Sequence, residues 1–178
     1  MTEDLKGAVL PLDVAASKGF EFSEYQLHGN TTRHKPGWIA TAPGSSIDLR
    51  MDTRFAAPKS GEPAARFAVP RQRQPTNSSA QGGWPRQVVV GYLRSYQHMG
   101  RVAVTCLSGC TCLPSTIDAH DTHKSSTLKL HEFAVTAAAE CVVRLEVLAE
   151  TSSPDGEHKF KLIQIAVRGP AGAGDGVQ

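Results

Sequence analysis

Apolar and polar residues alternate in short runs along most of this chain. Ile47, Leu49 and Met51 alternate with Asp48, Arg50 and Asp52, the two-residue period of a half-buried β-strand. The same period recurs through Val102, Val104 and Cys106 in Arg101–Leu107, and through Val143, Leu145 and Val147 in Cys141–Ala149. In Phe160–Val167 it sets Phe160, Leu162 and Gln164 against Ile163, Ile165 and Val167. Leu128, Leu130, Glu132 and Ala134 form one face of another strand, with Phe133 and Val135 on the other face. Val88–Leu93 is apolar on both faces, which predicts a central strand. Phe20, Phe22 and Tyr25 suit a short strand, and Trp38–Thr41 lies between the turn signals Pro36-Gly37 and Pro43-Gly44. Ser153-Pro154-Asp155-Gly156 predicts a hairpin turn. The helix candidate of this half is Val135–Cys141, through Ala137-Ala138-Ala139, and a strand end suits it as well. Strands and turn signals at a spacing of roughly 8–12 residues predict an all-β antiparallel sandwich, jelly-roll-like. A single domain over residues 1–178 accommodates it.

Residues 54–87 break the pattern. They hold Pro58, Pro63, Pro70, Pro75 and Pro85, and their composition predicts a flexible basic insertion. Six basic residues there face one acid, Glu62. The formal charge of the whole chain is +2, so the remainder carries 13 basic and 16 acidic residues. A near-neutral total thus conceals a mildly acidic sandwich and a basic loop. Arg66, Arg71 and Arg73 in that loop are candidates for polyanion contact, or simply a solvated segment. No nucleic-acid fingerprint accompanies them. The Gly/Ala-rich residues 169–178 predict a disordered tail.

Cys106, Cys110, Cys112 and Cys141 are the four cysteines, three of them in CLSGCTC. The spacing is neither a zinc ribbon nor a thioredoxin-like pair. Two disulfides are the leading reading, with free buried thiols and metal binding as alternatives, and sequence does not choose the pairing. The sequons at Asn30 and Asn77 add weak support for a glycoprotein. The acidic start, with Glu3 and Asp4, and the breaks at Pro11 and Asp13 give no signal peptide. Disulfides without a leader suggest part of a longer extracellular or secretory-lumen protein; a cytoplasmic protein with reduced cysteines is the alternative. No apolar run approaches the roughly 18 residues of a membrane span.

Candidate chemistry is sparse. Asp118, His120, Asp121 and His123 form the densest carboxylate–imidazole cluster, able in principle to hold a divalent metal or a proton-transfer pair. A polar inter-strand loop is the leading reading, and the cluster is the best metal candidate only by default. Ser108 and Ser115 lack a nucleophile elbow, and Cys110 has cysteine neighbours that would pair with it. His131-Glu132 opens like a metalloprotease motif but has no second histidine at the required spacing, while His34 and His98 are isolated. For ligand contact the candidates are Trp84 on a glycine-rich loop and the set Tyr92, Arg94 and Tyr96, which share one face of a strand. Trp38 reads as core.

The run Gly91-Tyr92-Leu93-Arg94-Ser95-Tyr96-Gln97-His98-Met99-Gly100, followed by CLSGCTC, resembles a C-terminal module of plant and algal proteins. In those proteins the module follows an SGNH-type (GDSL-like) hydrolase domain. The likeness extends to Pro36-Gly37-Trp38-Ile39-Ala40, Pro43-Gly44-Ser45 and His158-Lys159-Phe160-Lys161-Leu162, so it covers most of the chain outside the insertion. It implies a β-sandwich accessory module of a secretory-pathway protein. It carries over no catalytic residue, because the Gly-Asp-Ser and Gly-x-Asn-Asp blocks are absent. The expectation is therefore a non-catalytic module without cofactor, binding polysaccharide or an attached hydrolase domain. A small hydrolase using Asp118–His123 and an intracellular interaction domain are the alternatives.

Overall fold

A computed structural model describes residues 12–28, 31–54 and 86–168. They form ten strands: β1 (Val14–Lys18), β2 (Glu21–His28), β3 (Thr31–Ala40), β4 (Ser46–Met51), β5 (Arg86–Ser95), β6 (Arg101–Ser108), β7 (Ser115–Asp118), β8 (Ser126–Val135), β9 (Cys141–Val147) and β10 (Phe160–Arg168). Two antiparallel five-stranded sheets result. Sheet A runs β1-β4-β9-β6-β7 and sheet B runs β2-β3-β10-β5-β8. Strands β3 to β10 cross from one sheet to the other at every connection except β6–β7, the winding of a jelly roll. β1 and β2 extend the two sheets at their edges. Among the described residues no helix is long and apolar enough to cross a membrane.

The alternation predicted for β4, β6 and β9 is what fills the space between the sheets. Ile47, Leu49, Val102, Val104, Val143 and Leu145 are fully buried on the inner face of sheet A. Val88, Val90, Phe160 and Leu162 meet them from sheet B. Each such side chain contributes about 1.5–3 kcal/mol relative to exposure, so the sandwich rests on these few positions. Trp38 packs partly buried against the same core, as expected.

Four local readings change. β10 carries a bulge between Leu162 and Gln164, so Phe160 and Leu162 face inward before it, and Ile165 and Val167 pack on the core after it. Leu128, Leu130, Glu132 and Ala134 share a face, but it is the outer one; Phe133 and Val135 point to the core. Ser153–Gly156 is a β-turn, with the Gly156 N–H donating to the Ser153 carbonyl at 3.0 Å. It is not a hairpin, because β9 and β10 lie in different sheets. Residues 136–140 are not helical. They cross between sheets under the buried Thr53, whose N–H donates to the Ala138 carbonyl at 2.9 Å and whose Oγ1 accepts from the Ala138 N–H at 2.8 Å.

The predicted insertion ends sooner than its composition suggests. Arg86 and Gln87 belong to β5, paired with Val135 and Ala134 of β8. Arg54 is ion-paired with Asp52 at 2.7 Å. Residues 55–85 and the predicted tail 169–178 lie outside the described residues.

Candidate functional site

The cysteines pair as Cys106–Cys112 and Cys110–Cys141. Both bridges lie at one end of sheet A, tying the β6–β7 loop to β6 and to β9. Gly109 makes the loop possible. Its φ is +76° and it passes so close to the Glu140 carbonyl that no Cβ fits. Paired thiols belong to an oxidising environment.

The carboxylate–imidazole cluster is not brought together as a metal site. Asp118 accepts from the His120 N–H at 3.0 Å and from Ser152 Oγ at 2.8 Å. Asp121 accepts from the His123 N–H and Nδ1 at 3.1 Å and faces Arg94 Nε at 3.5 Å. These bonds hold the Asp121 carboxyl below its ordinary range, His123 being the largest cause. Each aspartate is thus spent on its own turn and on a different partner. Among the described residues, the three side chains whose ligating atoms converge are Cys106, Cys110 and Cys141, already in disulfides. The Nδ1 of His120 is buried without a hydrogen-bond partner.

Tyr92, Arg94 and Tyr96 do not form a common ligand face. Tyr92 is 8% exposed and stacks on Phe160 with ring centroids 5.8 Å apart, so its ring belongs to the core. The two-residue period identified a shared face without saying that it points inward. Arg94 sits at the end of that face and donates Nε to the His120 carbonyl at 3.0 Å, bracing the loop. Tyr96 lies past the end of β5 and lines a cleft on the outside of sheet B. Trp84, Asn30 and Asn77 lie outside the described residues.

That cleft is the best-formed candidate site. It has a volume of about 600 Å³, within the range of small-molecule sites. Its floor is apolar: Leu93 of β5 pairs across to Leu128 of β8, and Ile163 of β10 lies alongside. Its rim is polar, with Tyr96, Ser126, Lys35 and Lys159. Leu128 is 50% exposed, an apolar surface left open to the cleft.

Two features build the cleft walls. Lys161 is 2% exposed yet carries a charge; its Nζ donates to the Lys35 carbonyl at 2.7 Å. Its stem passes over Gly37 so closely that a Cβ there would meet Lys161 Cε at 2.6 Å. Gly37 therefore lies within β3, not in a turn, and marks a close approach. Burial is the main cause that pushes the Lys161 ammonium's pKa down, followed by the charges of Lys159 and Lys35. The second feature is His98, a non-glycine residue at φ +64°. A left-handed residue of this kind costs about 1–3 kcal/mol and persists where its surroundings hold it. Here Asp155 Oδ2 takes the His98 N–H at 3.1 Å and faces Nδ1 at 2.9 Å, while the His98 carbonyl accepts from Lys159 N at 2.7 Å. The loop carrying Tyr96 is thereby locked to the start of β10.

The cleft escaped sequence reasoning because four distant segments assemble it: Lys35-Pro36, Leu93–Met99, Ser126–Leu128 and Lys159–Ile163. A signal was present nonetheless. Three of these segments lie in or beside the quoted runs Pro36–Ala40, Gly91–Gly100 and His158–Leu162.

No family model and no curated protein matches the chain. Among solved structures, one similar in arrangement is a β-1,3-glucan binding CBM6 from Bacillus halodurans. It is 8% identical, with a TM-score of 0.40, over 88% of this chain and 90% of that one. A superposition this loose carries no argument about function, and the assignment of the jelly roll rests on strand order.

Proposed function

We propose that this chain is a non-catalytic β-sandwich module that binds carbohydrate in the cleft on the outside of sheet B. The observation that carries the reading is the pairing of an apolar floor with a polar rim. Leu93, Leu128 and Ile163 offer the floor; Tyr96, Ser126 and the lysines offer hydroxyl and ammonium groups around it. A sugar ring presents the same two chemistries, an apolar C–H face and hydroxyl edges. The sequence resemblance supports a place beside an SGNH-type hydrolase domain on another segment. The disulfides support an extracellular or secretory-lumen setting.

Affinity electrophoresis of the purified chain through gels containing cell-wall and matrix polysaccharides tests the reading. The expected result is retardation by at least one polysaccharide, lost on Tyr96→Ala while the thermal transition is kept. Free migration through every gel overturns carbohydrate binding.

A further inference from the structure

The charge of the cleft is one-sided. Lys35, Lys159 and Lys161 line it together with His98, and among the described residues no carboxylate does. The nearby acid, Asp155, is held by His98, Ser153 and the Glu157 N–H, and these bonds keep its carboxyl below the ordinary range. Lys161 uses one of its three donors, on the Lys35 carbonyl, inside an almost fully buried position. A buried ammonium without a counter-charge is an unfavourable arrangement for folding alone. It becomes favourable when an anion arrives, because charge-assisted hydrogen bonds then use the free donors.

From this we infer that the cleft selects acidic saccharides, those carrying a carboxylate or sulfate on the ring. The inference rests on the carbohydrate reading above and narrows it. The sugar lies on the Leu93–Leu128–Ile163 floor with Tyr96 beside it, and its acidic group is directed to Lys159 and Lys161. A neutral sugar could use the floor but would leave the lysines unneutralised.

Titration calorimetry with trigalacturonate and its fully methyl-esterified form separates charge from sugar. At low salt the acid is expected to bind about tenfold more tightly than the ester, an advantage that shrinks as salt rises. Lys159→Gln should remove most of that advantage, so that the variant binds acid and ester within about twofold of each other. A sulfated galactan oligosaccharide distinguishes the two acidic groups: its preference over trigalacturonate would assign sulfate rather than carboxylate and would support the inference. Equal binding of acid and ester overturns charge selection and leaves a carbohydrate module. Binding of none of the three probes overturns both readings. Inorganic sulfate binding as tightly as the sulfated sugar overturns the saccharide part.

Discussion

The most deeply buried outward charges of the two sheets are treated in opposite ways. On sheet A, Arg144 of β9 grips Asp48 of β4 with two bonds, at 2.7 and 2.8 Å, across directly paired positions. A shallow hollow of about 400 Å³ lies there, but its acid and base already satisfy each other, with Glu146 adding to the negative side. On sheet B, Lys161 is buried more deeply than either of those groups and, among the described residues, its ammonium meets a carbonyl and no carboxylate. Sheet A also carries both disulfides, whereas the strained His98 lies in the loop that borders the cleft of sheet B. One sheet is closed by covalent and ionic pairs. The other keeps unspent donors beside an open apolar floor. Stability devices and the candidate site are thus separated across the sandwich.

The strongest way to break this division is to remove a staple. Cys110–Cys141 closes a loop with a sequence separation of 31 residues. Loop-closure entropy then sets its contribution at about 3–4 kcal/mol, against about 2 for the short Cys106–Cys112 loop. Urea unfolding of the Cys110→Ser/Cys141→Ser double variant should show a loss of that size. Saccharide binding at the cleft should persist in the fraction that remains folded. If binding disappears while the fold is intact, the two sheets are not independent.

Next in size is the ion pair. Arg144→Met leaves Asp48, almost fully buried, without its guanidinium, and should cost about 2–3 kcal/mol. The matching change on sheet B, Lys161→Met, should behave differently. It removes a charge that has no counter-ion and keeps the stem that lies over Gly37. Its cost should stay within about 1 kcal/mol, and the Tm should hold or rise. A loss from Lys161→Met equal to that from Arg144→Met, read from denaturant midpoints, would show that Lys161 is structural.

Much of the sandwich was legible in the residues. Where one face is buried and the other wet, as with Val143, Leu145 and Val147, period two reports both strand and face. The failures share a physical cause. Tyr92 and Arg94 share a face in any strand, but only the position of the partner sheet decides that the face points inward. The alternation in β8 separates two faces without saying which is inner; the Leu128–Leu130 face became an outer floor because Phe133 and Val135 took the inner side. β7 contributes one inward apolar residue, Ile117, too little for a pattern. Gly37 looked like a turn residue because a strand glycine that makes room for a distant lysine has no local signature. The cleft itself is assembled from segments 27 to 57 residues apart, so composition and spacing are silent on it.

The smallest expected effect concerns how the sheets are joined at their other edge. His131 of β8 meets Ser115 of β7 at 2.9 Å, a bond between an edge of sheet B and an edge of sheet A. Burial pushes the His131 pKa below its ordinary 6.5. The unfolded chain therefore takes up the proton first as pH falls. Stability present above about pH 6.5 declines as pH drops through that value, and the decline ends once the folded form is also protonated. The wild-type Tm should be lower at pH 5.5 than at pH 7.5. His131→Asn retains a polar partner for Ser115 without a titrating ring, so this variant should show a smaller difference. An unchanged difference would place the acid sensitivity elsewhere and leave the Ser115–His131 bond as a neutral tie between two sheets whose division of labour does not depend on pH.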